Sequence, residues 1–135
     1  METTVRFLDG VKFEVESRGH KIMCDQPTNN GGEDTGMAPP EFLLASLGTC
    51  AGFYAAQYLK TRSLPMDGLE VKVVAEKKTA PARLGKFHID VRTSVDDPRH
   101  QEGLMRAVKA CLIHNTLLHS PEIEIHLESP VGHVN

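Results

Sequence analysis

Three cysteines, Cys24, Cys50 and Cys111, are the residues of this sequence best suited to chemistry. A cysteine thiolate is a strong nucleophile, and two thiols that meet in space can cycle between a dithiol and a disulfide. Cys50 and Cys111 each lie on the inward side of a predicted helix, so the two helices could bring them together. Cys24 ends a short predicted strand and has no partner motif, so we interpret it as structural. Cys50 and Cys111 are therefore the candidate catalytic residues.

A reactive Cys50 needs a neighbouring group that stabilises its thiolate, because burial in apolar surroundings favours the neutral thiol. Glu41 and His114 are ionisable residues near the two thiols in sequence. The cations that could act on Cys50 are Arg18, His20, Arg83 and His114. Spacing alone assigns none of them. Glu41 has an equally good structural interpretation, since a carboxylate in the first turn of a helix stabilises that end.

Two other uses of the cysteines compete with redox chemistry. Free cysteine is often a small buried hydrophobe, so an inert role in the core is an open alternative for each thiol. Metal binding is disfavoured, because the cysteines are 26 and 61 positions apart and the sequence contains no CxxC, HxxxH or HExxH motif. His114 and His119 offer only a five-residue step. We expect no metal site and no other cofactor.

A long helix must hold Cys50. Pro39 and Pro40 followed by Glu41 are typical of a helix start, and Lys60 and Arg62 suit its end. Apolar residues cover nearly the whole circumference between them, and a helix that is apolar on all sides is buried on all sides. A domain this small can hardly cover such a helix alone. We therefore expect an obligate homodimer.

A second helix must hold Cys111. Asp97 and Pro98 are typical of a cap and a first helical position. Apolar residues then recur at spacings of three and four, at Leu104, Ala107, Val108 and Cys111. Residues 114–119 could continue this helix or start a short one of their own.

The remaining segments alternate in the manner of strands. Asp9-Gly10 between two alternating runs predicts a hairpin, Ser17-Arg18-Gly19 a second turn, and His20–Cys24 a third strand. Residues 25–38 form a loop, and residues 69–73 and 87–91 form two strands joined by a longer connection that contains Pro81 and Gly85. Residues 123–127 predict a last strand. The order β-β-β-α-β-β-α-β indicates a single α+β domain over residues 1–135 with a largely antiparallel sheet.

Composition limits the partners and the compartment. The 135 residues are 40% hydrophobic and 24% charged, with a net charge of −3, which is unfavourable for binding nucleic acid. No run approaches the roughly 18 apolar residues of a membrane span, and the N-terminus does not resemble a signal peptide. We expect a cytoplasmic protein without membrane or nucleic-acid partners, whose three cysteines are kept reduced.

The motifs around the cysteines resemble a known family. HKIMCDQP at residues 20–27, GGEDTG at 31–36 and EFLLASLGTC at 41–50 are similar to the signature of the OsmC/Ohr family, and most similar to its OsmC-like branch. CLIHNTL at residues 111–117 resembles the second cysteine motif of that branch. The resemblance extends from about residue 18 to residue 128.

This resemblance implies an intertwined homodimer with two sites at the interface, each containing both cysteines. It implies reduction of organic hydroperoxides in oxidative-stress defence. Cys50 would attack the peroxide and become a sulfenic acid, and Cys111 would resolve it as a disulfide. A dithiol such as a lipoyl group, or another thiol reductant, would then restore the pair.

The sequence departs from the well-studied peroxidases of the family at two supporting positions. Leu8 stands where they have an arginine before an early Asp-Gly turn, and Pro40 stands where they have a glutamate. Glu41, one position later, matches the OsmC-like branch. A smaller change is Leu112, which stands where that branch has a proline after the second cysteine.

Three functions therefore remain open. The leading hypothesis is a thiol-dependent hydroperoxide reductase. The second is a dimer that binds a small apolar or electrophilic ligand, or senses redox state, without peroxidase activity. The third is a structural dimer with inert thiols.

Overall fold

The computed structural model describes residues 1–130 and confirms the predicted α+β class. The strands are β1 (Thr4–Phe7), β2 (Phe13–Ser17), β3 (His20–Cys24), β4 (Glu70–Lys78) and β5 (Arg83–Arg92). The helices are α1 (Pro39–Thr61), α2 (Pro98–Lys109) and α3 (Leu112–Leu118), with one short 3-10 turn at Thr28–Asn30. The long helix α1 thus stands between an N-terminal three-stranded sheet and a C-terminal hairpin with two helices.

The N-terminal sheet has the antiparallel order β1-β2-β3. Its register places Val15 opposite both Val5 and Ile22, so apolar side chains of all three strands share one face. The predicted turns are confirmed: Gly10 and Gly19 have positive φ angles of 52° and 81°, which glycine adopts without a steric penalty. Arg18 lies in the second of these turns.

A buried carboxylate organises the loop between β3 and α1. Asp25 has no exposed surface, and its oxygens accept hydrogen bonds from the Thr35 hydroxyl at 2.7 Å and from the backbone N–H groups of Gln26, Glu33 and Thr35. These bonds, led by that of the Thr35 hydroxyl, outweigh burial and lower the pKa of Asp25 to about 2. The loop is therefore folded around one negative charge.

Replacing Asp25 with asparagine is expected to lower the melting temperature at pH 7 by on the order of 10 °C, because an amide turns a donor toward the loop N–H groups. The folded pKa lies below the ordinary 3.8, so the stabilisation is present above pH 4 and is lost as the pH falls toward 2. Thermal melts from pH 7 to pH 2 should show that the melting temperatures of the wild type and of Asp25→Asn converge in acid. Asp67→Asn, at an exposed turn, is the matched control, and equal melting of both variants at pH 7 would contradict this account.

Helix α1 begins as its sequence predicts, and one of its faces is buried. Glu41 Oε1 accepts a hydrogen bond from the Ala38 N–H at 2.9 Å, which caps the first turn. The most buried residues of α1 are Leu47, Ala51, Ala55 and Leu59. Ala51, Ala55 and Leu59 share one core cluster with Leu104 and Val108 of α2 and with Val95, which lies between β5 and α2. A Cβ at Gly48 would lie 3.1 Å from Val73 Cγ2, so this glycine permits the close approach of β4.

Other faces of α1 are not covered within the chain. Phe53 is 58% exposed near the middle of the helix. By length and composition α1 could cross a membrane, but the core helix of a soluble protein meets the same criterion. The helix is therefore weak evidence for a membrane location.

The structure corrects two predicted boundaries. The connection from β4 to β5 is only residues 79–82, and Gly85 lies inside β5, because backbone pairing continues past a register shift at Glu76 and Lys77. Helix α2 ends at Lys109, so Cys111 does not lie on its stripe but at the junction with α3. Of the two alternatives predicted for residues 114–119, the structure shows the separate short helix α3, with His119 just after its end.

The predicted last strand at residues 123–127 is absent from the described part of the chain. Ile123, Ile125 and Leu127 are 78%, 90% and 96% exposed. A strand requires a hydrogen-bonded neighbour, and none of the strands β1–β5 pairs with this segment. The alternating pattern is real, but it has no partner among residues 1–130.

Candidate active site at two cysteines

The structure places Cys50 beside Cys111. Cys50 lies in the middle of α1 and is half-buried, whereas Cys111 has no exposed surface. Helix α1 packs against both α2 and α3, and Cys111 occupies the junction of those two helices. The two thiols, 61 positions apart in sequence, are close enough for each to shift the pKa of the other.

The groups around Cys50 favour its thiolate. Burial alone raises the pKa of Cys50, but hydrogen bonds from the Cys111 thiol and from the backbone N–H groups of Ile113 and Leu112 lower it by more. The net pKa of Cys50 therefore lies below the ordinary value of 9.0. A lowered pKa enlarges the fraction of reactive thiolate at neutral pH.

The pKa of the Cys111 thiol is shifted in the opposite direction. Burial, together with its interaction with Cys50, raises the pKa of Cys111, and hydrogen bonds from the His114 and Ile113 N–H groups only partly offset this. The thiol of Cys111 is therefore less acidic than an ordinary cysteine thiol, whereas that of Cys50 is more acidic.

The local sequence explains why backbone donors are available to Cys50. Ala110 ends α2, and Cys111 adopts φ −55° and ψ 131°, outside the helical region. A new helix starts after it: the Cys111 carbonyl accepts a hydrogen bond from the Asn115 N–H at 3.0 Å. The first N–H groups of a helix have no partner within that helix, so those of Leu112 and Ile113 are free to face Cys50.

These backbone donors were missed by sequence reasoning, which sought a cation for Cys50. The sequence signal that could have revealed them was the possible break between two helices after Cys111. Burial, Cys111 and the two N–H groups account for the pKa of Cys50, and no charged side chain in residues 1–130 contributes to it.

Glu41 and Arg18 do not join the cysteines within one chain. The Glu41 carboxylate is engaged at the Ala38 N–H, and nine helical residues, about 13 Å, separate it from Cys50. Arg18 is an exposed residue in the β2–β3 turn, and its sheet packs closely on none of the described helices. The capping interpretation of Glu41 is thus confirmed in the structure.

The other candidate cations are also engaged or distant. His20 is exposed at the start of β3. The Arg83 guanidinium donates to the carbonyls of Thr79 and Pro81 in the β4–β5 turn. His114 approaches the site through its backbone: its N–H lies 3.4 Å from Cys111 Sγ, while its ring Nδ1 donates to the Lys109 carbonyl at 3.1 Å.

Cys24 lies apart from this pair. It is buried at the end of β3, and burial, together with the nearby Asp25 carboxylate, raises the pKa of its thiol. Such a thiol is a poor nucleophile at neutral pH. This environment agrees with the structural role predicted for Cys24.

The described residues contain no group of three or more histidine, cysteine and acidic side chains that could hold a metal ion. The positions that depart from the peroxidase pattern lie away from the thiols within one chain. Leu8 is 45% exposed after β1, and Pro40 lies in the first turn of α1.

Two cavities lie near the site, although neither is lined by Cys50 or Cys111. One, of about 520 Å³, lies between β5 and α3 and is lined by residues that include Phe87, Leu117, Leu118 and Leu47, the last being one helical turn before Cys50. The other, of about 510 Å³, lies between β5 and α2. Ile89 and His114 line both. The site thus offers apolar space close to the α1 turn that carries Cys50.

Comparison with solved structures shows the same fold in several proteins. A Psychrobacter arcticus protein named for osmotic stress induction and a detoxification response superposes with a TM-score of 0.77 at 17% identity, over 84% of this chain and 85% of that one. An OsmC-like protein of Mycoplasma pneumoniae gives a TM-score of 0.71 at 20% identity, over 88% and 87% of the two chains. An organic hydroperoxide resistance protein of Legionella pneumophila gives 0.62 at 16% identity, over 88% and 90%.

No curated protein sequence shows significant similarity to the chain. The family model for OsmC-like proteins, however, matches residues 31–126, which include Cys50, Cys111 and more than half of the chain. This match and the shared fold confirm the resemblance seen in the motifs. The chain belongs to the OsmC-like protein family.

Proposed function

We propose that this protein reduces organic hydroperoxides in oxidative-stress defence, with Cys50 as the peroxide-reactive cysteine and Cys111 as the resolving cysteine. One observation carries the proposal: the half-buried Cys50, whose thiol pKa is lowered, lies beside the buried Cys111, whose thiol pKa is raised. The name of the Legionella pneumophila neighbour, an organic hydroperoxide resistance protein, supports the substrate class.

The chemistry follows from the states of the two thiols. The Cys50 thiolate attacks the terminal oxygen of the hydroperoxide, the O–O bond breaks, and the alcohol leaves after taking up a proton. Cys50 is then a sulfenic acid. The Cys111 sulfur attacks the Cys50 sulfur, the oxygen leaves as water, and a disulfide remains. Two thiols have supplied two electrons, and an external dithiol or another thiol reductant restores them.

The cavity between β5 and α3 supports an organic rather than an inorganic peroxide. Its apolar side chains, among them Phe87 and Leu117, would receive the hydrocarbon part of the substrate. The peroxide group would then lie toward Cys50. No metal or prosthetic group takes part in this scheme.

The test of this function is a titration of the fully reduced protein with cumene hydroperoxide in the absence of reductant. We expect each consumed peroxide to remove two thiols per chain, leaving the third, Cys24, titratable after unfolding. Protein pretreated with iodoacetamide is the control. Equal peroxide loss with the treated and untreated proteins would reject the proposal.

We also propose that the working form is a homodimer. Apolar side chains more than half exposed occur on the N-terminal sheet, α1, α2, α3 and the C-terminal segment: Val5, Phe7, Phe53, Met105, Leu112, Leu118, Ile123, Ile125 and Leu127. So many exposed apolar residues are typical of a surface covered by another subunit.

Light scattering should give a particle of twice the 14.9 kDa chain mass. Phe53→Glu should shift it toward the monomer, because a charge would enter the covered face of α1. Lys60→Glu, at the exposed end of the same helix, is the control. A wild-type particle of single chain mass would contradict the dimer. The cytoplasm, with its reduced thiols and thiol reductants, is the compartment we propose for it.

The apolar cavities favour a second candidate function, the binding of a small apolar ligand without peroxide chemistry. Cumyl alcohol is a suitable probe, since it lacks the peroxide bond. Thermal stabilisation by cumyl alcohol that persists in the Cys50→Ser, Cys111→Ser double variant, together with no peroxide consumption by the wild type, would favour this function.

A further inference from the structure

His114 is the polar residue that the two cavities near the site have in common. Both cavities are lined by His114 and by the apolar Ile89. The cavity between β5 and α3 is also lined by Leu47 of α1. Cys50 follows Leu47 by three residues, and Cys111 precedes His114 by three. Residues at this spacing are neighbours along a helix, so each cysteine lies about one turn from the lining of this cavity.

The hydrogen bond of the His114 ring determines which of its nitrogens carries the hydrogen. Nδ1 lies 3.1 Å from the Lys109 carbonyl oxygen, which can only accept, so Nδ1 donates. In the neutral ring Nε2 then has a free lone pair. Nε2 has no hydrogen-bond partner among residues 1–130. His114 is half-buried, and the described part of the chain contains no enclosed side-chain nitrogen or oxygen that lacks a partner, so Nε2 is accessible.

Reduction of an alkyl hydroperoxide requires a proton transfer that this nitrogen can perform. When the O–O bond breaks, the leaving alkoxide is a strong base, whereas the oxygen that joins sulfur still carries the peroxide hydrogen. A base in contact with both oxygens can move the proton from one to the other. The other ionisable residue that lines this cavity is Lys86, whose charged amine has no lone pair and lies 4.0 Å from the Glu76 carboxylate.

We propose that His114 is a catalytic residue: its Nε2 takes the proton from the terminal oxygen of the hydroperoxide and passes it to the oxygen that leaves. The inference rests on the proposed function, in which the Cys50 thiolate attacks the terminal oxygen. A sulfur lone pair forms the S–O bond, the O–O electron pair leaves with the second oxygen, and that oxygen receives the proton. The products are the alcohol and the Cys50 sulfenate, which water protonates to the sulfenic acid, and His114 ends neutral.

The experiment compares two oxidants that differ in their need for a proton. Cumene hydroperoxide releases an alkoxide, whereas peracetic acid releases acetate, a weak base that leaves without being protonated. The rate of Cys50 oxidation is measured by acid quench and mass spectrometry of its peptide. In His114→Asn the side-chain amide can still donate to the Lys109 carbonyl, but nothing replaces Nε2. His119→Asn is the matched control, because His119 Nδ1 likewise donates to a carbonyl, that of Asn115 at 3.0 Å.

We expect His114→Asn to oxidise about 100-fold more slowly than the wild type with cumene hydroperoxide, but within about twofold of it with peracetic acid, since only the first reaction uses the proton transfer. His119→Asn should match the wild type with both oxidants. A purely structural role of His114 would slow both reactions alike. Equal slowing with the two oxidants, or no slowing with cumene hydroperoxide, would overturn the inference.

The solvent isotope effect on the wild type is a second measurement if His114→Asn does not fold. Oxidation of Cys50 by cumene hydroperoxide should be slower in D2O than in H2O, and oxidation by peracetic acid should change much less. Equal isotope effects for the two oxidants would overturn the inference. The proposed function would still stand if cumene hydroperoxide oxidised Cys50 of the wild type. A wild type whose Cys50 stays reduced with cumene hydroperoxide would reject the function and, with it, the role of His114.

Discussion

Replacing Cys50 with serine is expected to lower the rate of cumene hydroperoxide consumption at least about 1,000-fold, since loss of a nucleophile removes most of an enzyme's rate enhancement. Serine at this position can accept the same hydrogen bonds from Leu112, Ile113 and Cys111, so the local fold should survive. Its hydroxyl, however, is not ionised at neutral pH and cannot attack the peroxide oxygen. The measurement is steady-state peroxide loss with an excess of a dithiol.

Cys24→Ser is the matched control for Cys50→Ser. Cys24 is buried beside Asp25, and its pKa is raised, so its removal should leave the rate within a factor of about two. Wild-type consumption should rise with pH and level off below the ordinary cysteine pKa of 9.0. A Cys50→Ser protein as active as the wild type would exclude Cys50 as the nucleophile.

Replacing Cys111 with serine should separate the first turnover from the later ones. Cys50 keeps its backbone donors, so the first peroxide should be reduced at nearly the wild-type rate. Without the resolving thiol the sulfenic acid persists, and steady-state turnover with a dithiol should fall about tenfold or more. Excess peroxide should then add further oxygen to Cys50 and inactivate the protein irreversibly.

Stopped-flow measurement of the first turnover, together with the intact mass after excess peroxide, checks this prediction. We expect two added oxygen atoms on Cys50 in Cys111→Ser, and a disulfide without added oxygen in the wild type. A high concentration of either a monothiol or a dithiol should partly restore turnover, since an external thiol can attack the sulfenic acid. Added oxygen on Cys50 of the wild type equal to that in Cys111→Ser would show that Cys111 is not the resolving residue.

Much of the fold could be predicted from local signals in the sequence. Asp9-Gly10 gave the first hairpin and Asp97-Pro98 the start of α2, because these residues suit particular backbone conformations. The glycines of α1 indicated a close approach, which the contact of Gly48 with Val73 confirms. The sequence also indicated that Cys50 and Cys111 could meet, although Cys111 lies at the junction of α2 and α3 rather than on the predicted stripe of α2.

The rest depended on information that side-chain types do not carry. The donors to the Cys50 thiolate are backbone N–H groups, which every residue but proline possesses, so no residue type at Leu112 or Ile113 marks them. The role of Asp25 required the loop to fold back until Thr35 reached it. The strand predicted around Ile125 failed because strand formation depends on a neighbour that the pattern of one segment does not specify.

Peptide mapping of the reduced protein after one equivalent of cumene hydroperoxide tests the central claim most directly. The account predicts one disulfide that joins the Cys50 peptide to the Cys111 peptide, with Cys24 recovered as a free thiol. A disulfide that includes Cys24, or no oxidation at Cys50 while the peroxide remains unconsumed, would contradict it.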